Sequence, residues 1–130
     1  AGRSHPSAPA LTWHEEPNRI VGEVMFGPAF EGPPGHAHGG WVAGILDHLM
    51  GMTHVKTGRP GMTSGLSVRY LKPTPLNTKI HINAETTEID ERRTEVTASM
   101  RVGDTLTATA EAIFVRVDAA KFGLDAEDSR

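Results

Sequence analysis

GHAHGGWVAGILDHLMG, residues 35–51, runs two histidines and a Gly-Gly pair straight into a helical pattern. At 100° per residue, Val42, Ile45, Leu46, Leu49 and Met50 gather on one broad apolar face. Gly40, Ala43, Gly44 and Gly51 fall opposite as a stripe of small residues, with Asp47 in its middle. The spacing predicts a helix from Gly40 to about Met52, ended by Gly58 or Pro60. Glycine inside a helix costs about 1 kcal/mol relative to alanine, so Gly44 and Gly51 need a packing or ligand reason.

Upstream, residues 31–40 hold four glycines and two prolines, which reads as a loop feeding the helix. Arg19 to Phe26 is β-branched and apolar, a first strand, and residues 1–18, with three prolines, read as a tail or linker. Downstream, four strands are expected: Ser64 to Lys72, Thr78 to Ile89, Arg93 to Val102 and Leu106 to Val117. Ile80, Ile82 and Ala84 alternate with Lys79, His81, Asn83 and Glu85, the period of a sheet with one wet face. A three-residue loop, Gly103 to Thr105, would set Val102 beside Leu106 and Met100 beside Ala108, keeping one face apolar. Ala108, Ala110 and Ala112 then make a shallow floor for a helix. The fold class is α+β, one central helix wrapped by a curved antiparallel sheet of five to six strands. The domain covers 19–118, and 119–130 form an acidic tail.

Composition removes several function classes. The chain has 130 residues, 38% hydrophobic, enough for one core. A formal charge of −3 gives no basic field for nucleic acid or an anionic membrane. Without cysteine there is no disulfide framework, thiolate metal site or thiol nucleophile. No apolar run approaches the ~20 residues a bilayer demands, and the opening AGRSHPSAPA lacks the layout of a secretion signal. The expectation is a cytoplasmic chain with no nucleic-acid or membrane partner.

His38-Gly39-Gly40 opens the helix, where backbone N–H groups are free and a partial positive charge gathers. Glycines there let a ligand approach those donors, which would polarise a carbonyl and hold the oxyanion formed on attack. The plainer reading is a tight turn at the helix start. Asp47 is a candidate base or nucleophile, against the plainer reading of a solvated helix residue. Gly39 and Asp47 are eight residues apart, about 12 Å of axial rise, whereas a base must come within about 3 Å of its target. One helix cannot serve one carbonyl with both. Two antiparallel copies related by a two-fold axis can, and the small stripe leaves room for them.

HGGWVAGILDHLMG resembles the helix signature of hotdog-fold thioesterases, in particular the small acyl-CoA thioesterases of the phenylacetate-pathway type. The resemblance covers most of residues 19–117. Its motif is a histidine, two glycines, an aspartate nine residues after the histidine and a following Met-Gly. It implies hydrolysis of acyl-CoA thioesters without a cofactor, by a homodimer or dimer of dimers with the site at the subunit interface. By position, the Gly39 N–H polarises the thioester carbonyl and Gly40 backs it. Asp47 of the facing subunit activates water or attacks directly. Thr63, sixteen residues beyond Asp47, or Ser64 beside it, assists. His38 orients the loop or contacts the thioester. Some members carry an asparagine six residues before the histidine, where this chain has Gly32.

Arg69, Lys72, Lys56 and Arg59 flank this site in sequence and are candidates for holding the phosphates of coenzyme A. His36 and His38 have the H-x-H spacing of a metal pair, but a helix follows at once where a cupin site continues as strand, and no metal is expected. The competing classes are a non-catalytic acyl-CoA-binding module and a hydratase or dehydratase on the same fold, whose acid–base pairs find no match here.

Overall fold

The apolar stripe of the helix is the inner layer of the protein. Val42, Leu46, Leu49 and Met50 are each at most 1% exposed. They belong to α1 (Gly39–Val55), which lies against a six-stranded antiparallel sheet. The strands are β1 (Ala10–Glu16), β2 (Arg19–Met25), β3 (Met62–Tyr70), β4 (Ile80–Ile89), β5 (Arg93–Val102) and β6 (Thr105–Val115). Side by side they run β1-β2-β4-β5-β6-β3. This computed structural model describes residues 9–59 and 61–116. Val117, Pro60, residues 1–8 and the expected acidic tail at 119–130 lie outside the described residues.

Opposite the helix, Ile80, Ile82 and Ala84 of β4 and Val96, Ala98 and Met100 of β5 point inward, as their alternation predicts. Ala108, Ala110 and Ala112 of β6 are buried as the expected floor. Burying such side chains contributes roughly 25 cal/mol per Å² of apolar surface removed from water, the main term holding α1 to the sheet. Among the described residues no helix is long and apolar enough to cross a membrane.

Three expectations are corrected. Residues 10–16, read as tail, form β1 and pair with β2 along their whole length. The connection is the two-residue turn Pro17-Asn18, with Asn18 at φ 63°. Proline presets the first turn position and asparagine tolerates the left-handed second, so the turn itself was written in the sequence. The strand signal was weak because β1 is an edge strand whose Trp13 is 48% exposed. The helix begins one residue earlier and ends three later than expected, closing through Gly58 at φ 71°.

The hairpin between β5 and β6 is the third. Its loop is Gly103-Asp104, with Val102 opposite Thr105 and Arg101 opposite Leu106, not the three-residue loop expected. Yet Met100 does face Ala108, because Thr107 is an extra residue between the two registers. Two residues suit the twist of a hairpin, with Gly103 at φ 59°, and the bulge at Thr107 then restores the apolar face. The Thr107 hydroxyl donates to the Met100 carbonyl inside that bulge, at 3.2 Å. β3 also starts earlier, at Met62, and stops at Tyr70, while β4 starts later, at Ile80.

Candidate active site

Residues 31–38 form a loop that closes on itself before feeding α1. Glu31 bridges Ala37, the Gly32 N–H donates to the His36 carbonyl, and the Gly35 N–H donates to Glu31 Oε2 at 2.7 Å. Gly32 packs so tightly that a Cβ there would stand 2.8 Å from the Cα of His38. Position 32 therefore does lie beside the site, but this backbone admits only glycine. His36 Nδ1 is tied to the Pro34 carbonyl at 3.0 Å, so the imidazoles of the H-x-H pair are committed separately.

His38 is the N-cap of α1. Its Nδ1 accepts from the Gly40 N–H at 2.9 Å, which places the ring proton on Nε2 in the neutral form. Gly40, expected to back Gly39 at the substrate carbonyl, has its N–H taken by this bond and out of use as an oxyanion donor. Gly39 differs. Among the described residues its N–H finds no acceptor, and Gly39 lines a groove of about 350 Å³. Pro33, Ala37, Val42, Tyr70, Leu71 and Lys72 share that wall, so Gly39 stands at the side of a largely apolar cleft.

Asp47 is exposed on the outer face of α1, as are Gly40 and Gly44. A Cβ at Gly44 or Gly51 would meet nothing within 4 Å. Nothing among the described residues thus supplies a packing reason for these helix glycines.

Thr63 and Ser64 sit at the far end of β3 from Gly39. α1 and β3 run in opposite senses: Gly39 meets Tyr70 at the end of β3, while His54 lies against Gly61 before its start. Seven residues of strand from Thr63 to Tyr70 span roughly 23 Å. A bulge decides between the two hydroxyls. Thr63 pairs with Phe114 and Gly65 with Ile113, leaving Ser64 as the extra residue, its hydroxyl folded back on the Ile113 carbonyl at 3.4 Å. Directly paired residues share a face, so Thr63 shares the helix-side face with Phe114, which is 5% exposed. α1 covers β2, β4, β5 and β6, so Thr63, Leu66 and Tyr70 remain exposed beside it.

The four basic residues separate. Lys56 pairs with Glu15 at 2.9 Å and the Arg59 guanidinium donates to the Asp90 carbonyl, both away from the groove. Arg69 and Lys72 lie at the Gly39 end of β3, and among the described residues neither forms an ion pair. Tyr70, Pro33 and Leu71 of the groove wall were not singled out from sequence. The available signal was that the chain's one tyrosine closes a strand on the same side as Leu66 and Val68.

Residues 34–109, over half of the chain, match the thioesterase superfamily. The chain belongs to that superfamily. The matched span holds the whole of α1, β3, β4 and β5. Acyl-coenzyme A thioesterase THEM4 of Rattus norvegicus is 32% identical over 114 residues, 86% of this chain and 49% of the relative. The Xenopus laevis protein of that name is 31% identical over 82% of this chain and 49% of its own. The chain thus spans about half the length of these curated relatives. A crystal structure of another superfamily protein, 32% identical, superposes with a TM-score of 0.76 over 81% of this chain and 55% of that one. A hypothetical thioesterase protein from Streptococcus pneumoniae, solved with coenzyme A, shares the fold at 17% identity and a TM-score of 0.77, over 83% of this chain and 89% of that one. One helix on a six-stranded antiparallel sheet is the hotdog fold of this superfamily.

Proposed function

We propose that this chain hydrolyses acyl-CoA thioesters to the free acid and coenzyme A, at a site completed by a second copy of itself. One observation carries the reading. The open N–H of Gly39 sits at the groove, while Asp47 lies about 12 Å further along the same helix and Thr63 at the far end of β3. A two-fold axis closes both gaps. Helices crossing antiparallel at Ala43 set Gly39 of one copy opposite Asp47 of the other, and Gly40 and Gly44 leave the room. β3 laid antiparallel on its own copy about Leu66 brings Thr63 of one copy to Arg69 and Tyr70 of the other, and its outer edge has no partner among the described residues.

In that arrangement the thioester oxygen accepts from the Gly39 N–H and the acyl chain or pantetheine arm lies along the apolar groove. The carboxylate of Asp47 from the second copy acts as base on a water or attacks the carbonyl carbon itself. Negative charge develops on the oxygen held by Gly39, and collapse expels the coenzyme A thiolate, which takes up a proton; where Asp47 itself attacked, water then cleaves the acyl–aspartyl anhydride to the free acid and restores the carboxylate. Thr63 positions the water. Arg69 and Lys72, at the Gly39 end of β3, are assigned to the phosphates of coenzyme A. Supporting this are relatives named acyl-coenzyme A thioesterases and a fold neighbour solved with coenzyme A.

Thiol release across a panel of acyl-CoAs tests it. Asp47→Ala is expected to lower kcat at least ~10²-fold, the size of general-base effects. A folded, dimeric and fully active Asp47→Ala protein would sink the assignment. Saturable acyl-CoA binding with no thiol release from any substrate would make the chain a binding module instead.

A further inference from the structure

Tyr70 closes β3, and its hydroxyl donates to the carbonyl oxygen of Gly39 at 2.8 Å. Its ring lies flat against the same residue, with Cε1, Cζ and the hydroxyl oxygen each 3.5 Å from where a Gly39 Cβ would stand. The N–H across that peptide belongs to Gly40 and donates to His38 Nδ1 at 2.9 Å. The Gly39–Gly40 peptide is therefore held at both ends, its oxygen by a strand and its nitrogen by the cap.

A first helical turn has no upstream carbonyls to fix its N–H groups, and glycine has the widest backbone freedom of any residue. The His38 carbonyl, on the same peptide as the Gly39 N–H, accepts from the Trp41 and Val42 N–H groups at 3.0 and 3.3 Å, so the helix holds one side of Gly39, and Tyr70 and His38 add to the hold on the other. Rotation about the bonds of Gly39 swings its N–H, so the groups that fix its carbonyl also fix its donor. We propose that Tyr70 is a positioning residue of the oxyanion site, holding the Gly39 N–H at the angle where negative charge develops. This rests on the thioesterase reading and deepens it. The donor is useful only when preorganised, since a donor that must reorient at the moment of reaction loses much of its effect. Tyr70 also stands on the strand whose free edge is proposed to meet the second copy, so alignment of the donor and docking of the partner share one element.

Tyr70→Phe keeps the ring against Gly39 and removes only the hydroxyl. Steady-state thiol release is expected to show kcat lowered about five- to tenfold with KM within about twofold, in keeping with one neutral hydrogen bond. In ¹⁵N–¹H spectra the Gly39 and Gly40 amides are expected to move, while the rest of α1 and the sedimentation behaviour stay as in the wild type. Unchanged kcat, or a loss of kcat with both amides unmoved, overturns the proposal. A wild-type chain inert toward every acyl-CoA would bring down the thioesterase reading separately. The amide spectra would still decide whether Tyr70 holds this peptide: displaced resonances support the holding role, unmoved ones overturn it.

Discussion

Gly39 sits at the first helical position, where proline is also well accommodated because its missing N–H is one no helical carbonyl uses. The preceding residue, His38, is already extended at φ −64° and ψ 135°, the conformation proline demands of its neighbour. Gly39→Pro is thus expected to fold, bind acyl-CoA and lose about 10²-fold or more in kcat, by removing one oxyanion donor and nothing else. Binding by calorimetry beside thiol release checks both halves. At the other end of α1, His54 is 5% exposed and stacked on Phe114 at a 4.2 Å centroid separation, with both ring nitrogens unpartnered among the described residues. Burial holds its pKa below the ordinary imidazole value, and the Arg59 cation nearby adds to the effect. In the window between that lowered value and about 6.5 the unfolded chain binds more protons than the folded one, so stability falls as pH falls. Urea midpoints at pH 7.5 and 5.5 are expected to show this drop, and His54→Leu to make it smaller. An equal drop in the variant would assign the dependence to other groups.

At the scale of elements, α1 and β4 to β6 were legible because each has a buried face and a wet one. The period of the pattern is then enough to find it. Gly39 and Asp47 stood out as candidates for a different reason: a Gly-Gly pair opens the helix and a lone carboxylate falls within its small-residue stripe. β1 was not legible, since an edge strand with an exposed tryptophan gains its order from pairing with β2, which no local period records. The bulges at Ser64 and Thr107 were also hidden. Each inserts one residue and reverses which side the next side chain takes, which turns Thr63 toward the helix side and Ser64 back onto its own sheet. Tyr70 was invisible because its role is a contact with an element 31 residues away. The same scale tests the unpartnered glycines. If α1 crosses its own copy at the small stripe, Gly44→Leu should fold but raise the dimer dissociation constant at least ~10-fold by overpacking. Sedimentation equilibrium reads it. A variant as tightly dimeric as the wild type would place the second copy elsewhere.

Whole-molecule symmetry makes its own prediction. Gly39→Pro and Asp47→Ala damage opposite halves of the proposed site, so in a mixed dimer one site carries both lesions and the other carries neither. Unfolding and refolding the two inactive proteins together at equal amounts is expected to recover about a quarter of wild-type activity: half of the dimers are mixed, each with one intact site. If both residues served one chain's own site, mixing would recover nothing. The free edge of β3 also matters for the single chain. The chain shows Met62, Leu66 and Tyr70 at 51%, 43% and 53% exposure along a strand whose outer edge has no partner among the described residues, the kind of surface that nucleates misassembly. The interruption at Ser64 breaks that strand into two short runs, and an unrelated flat strand laid along it gains fewer hydrogen bonds than an unbroken ladder would give. A detail that sets the side taken by the Thr63 hydroxyl thus also makes this edge a poorer template for stray strands.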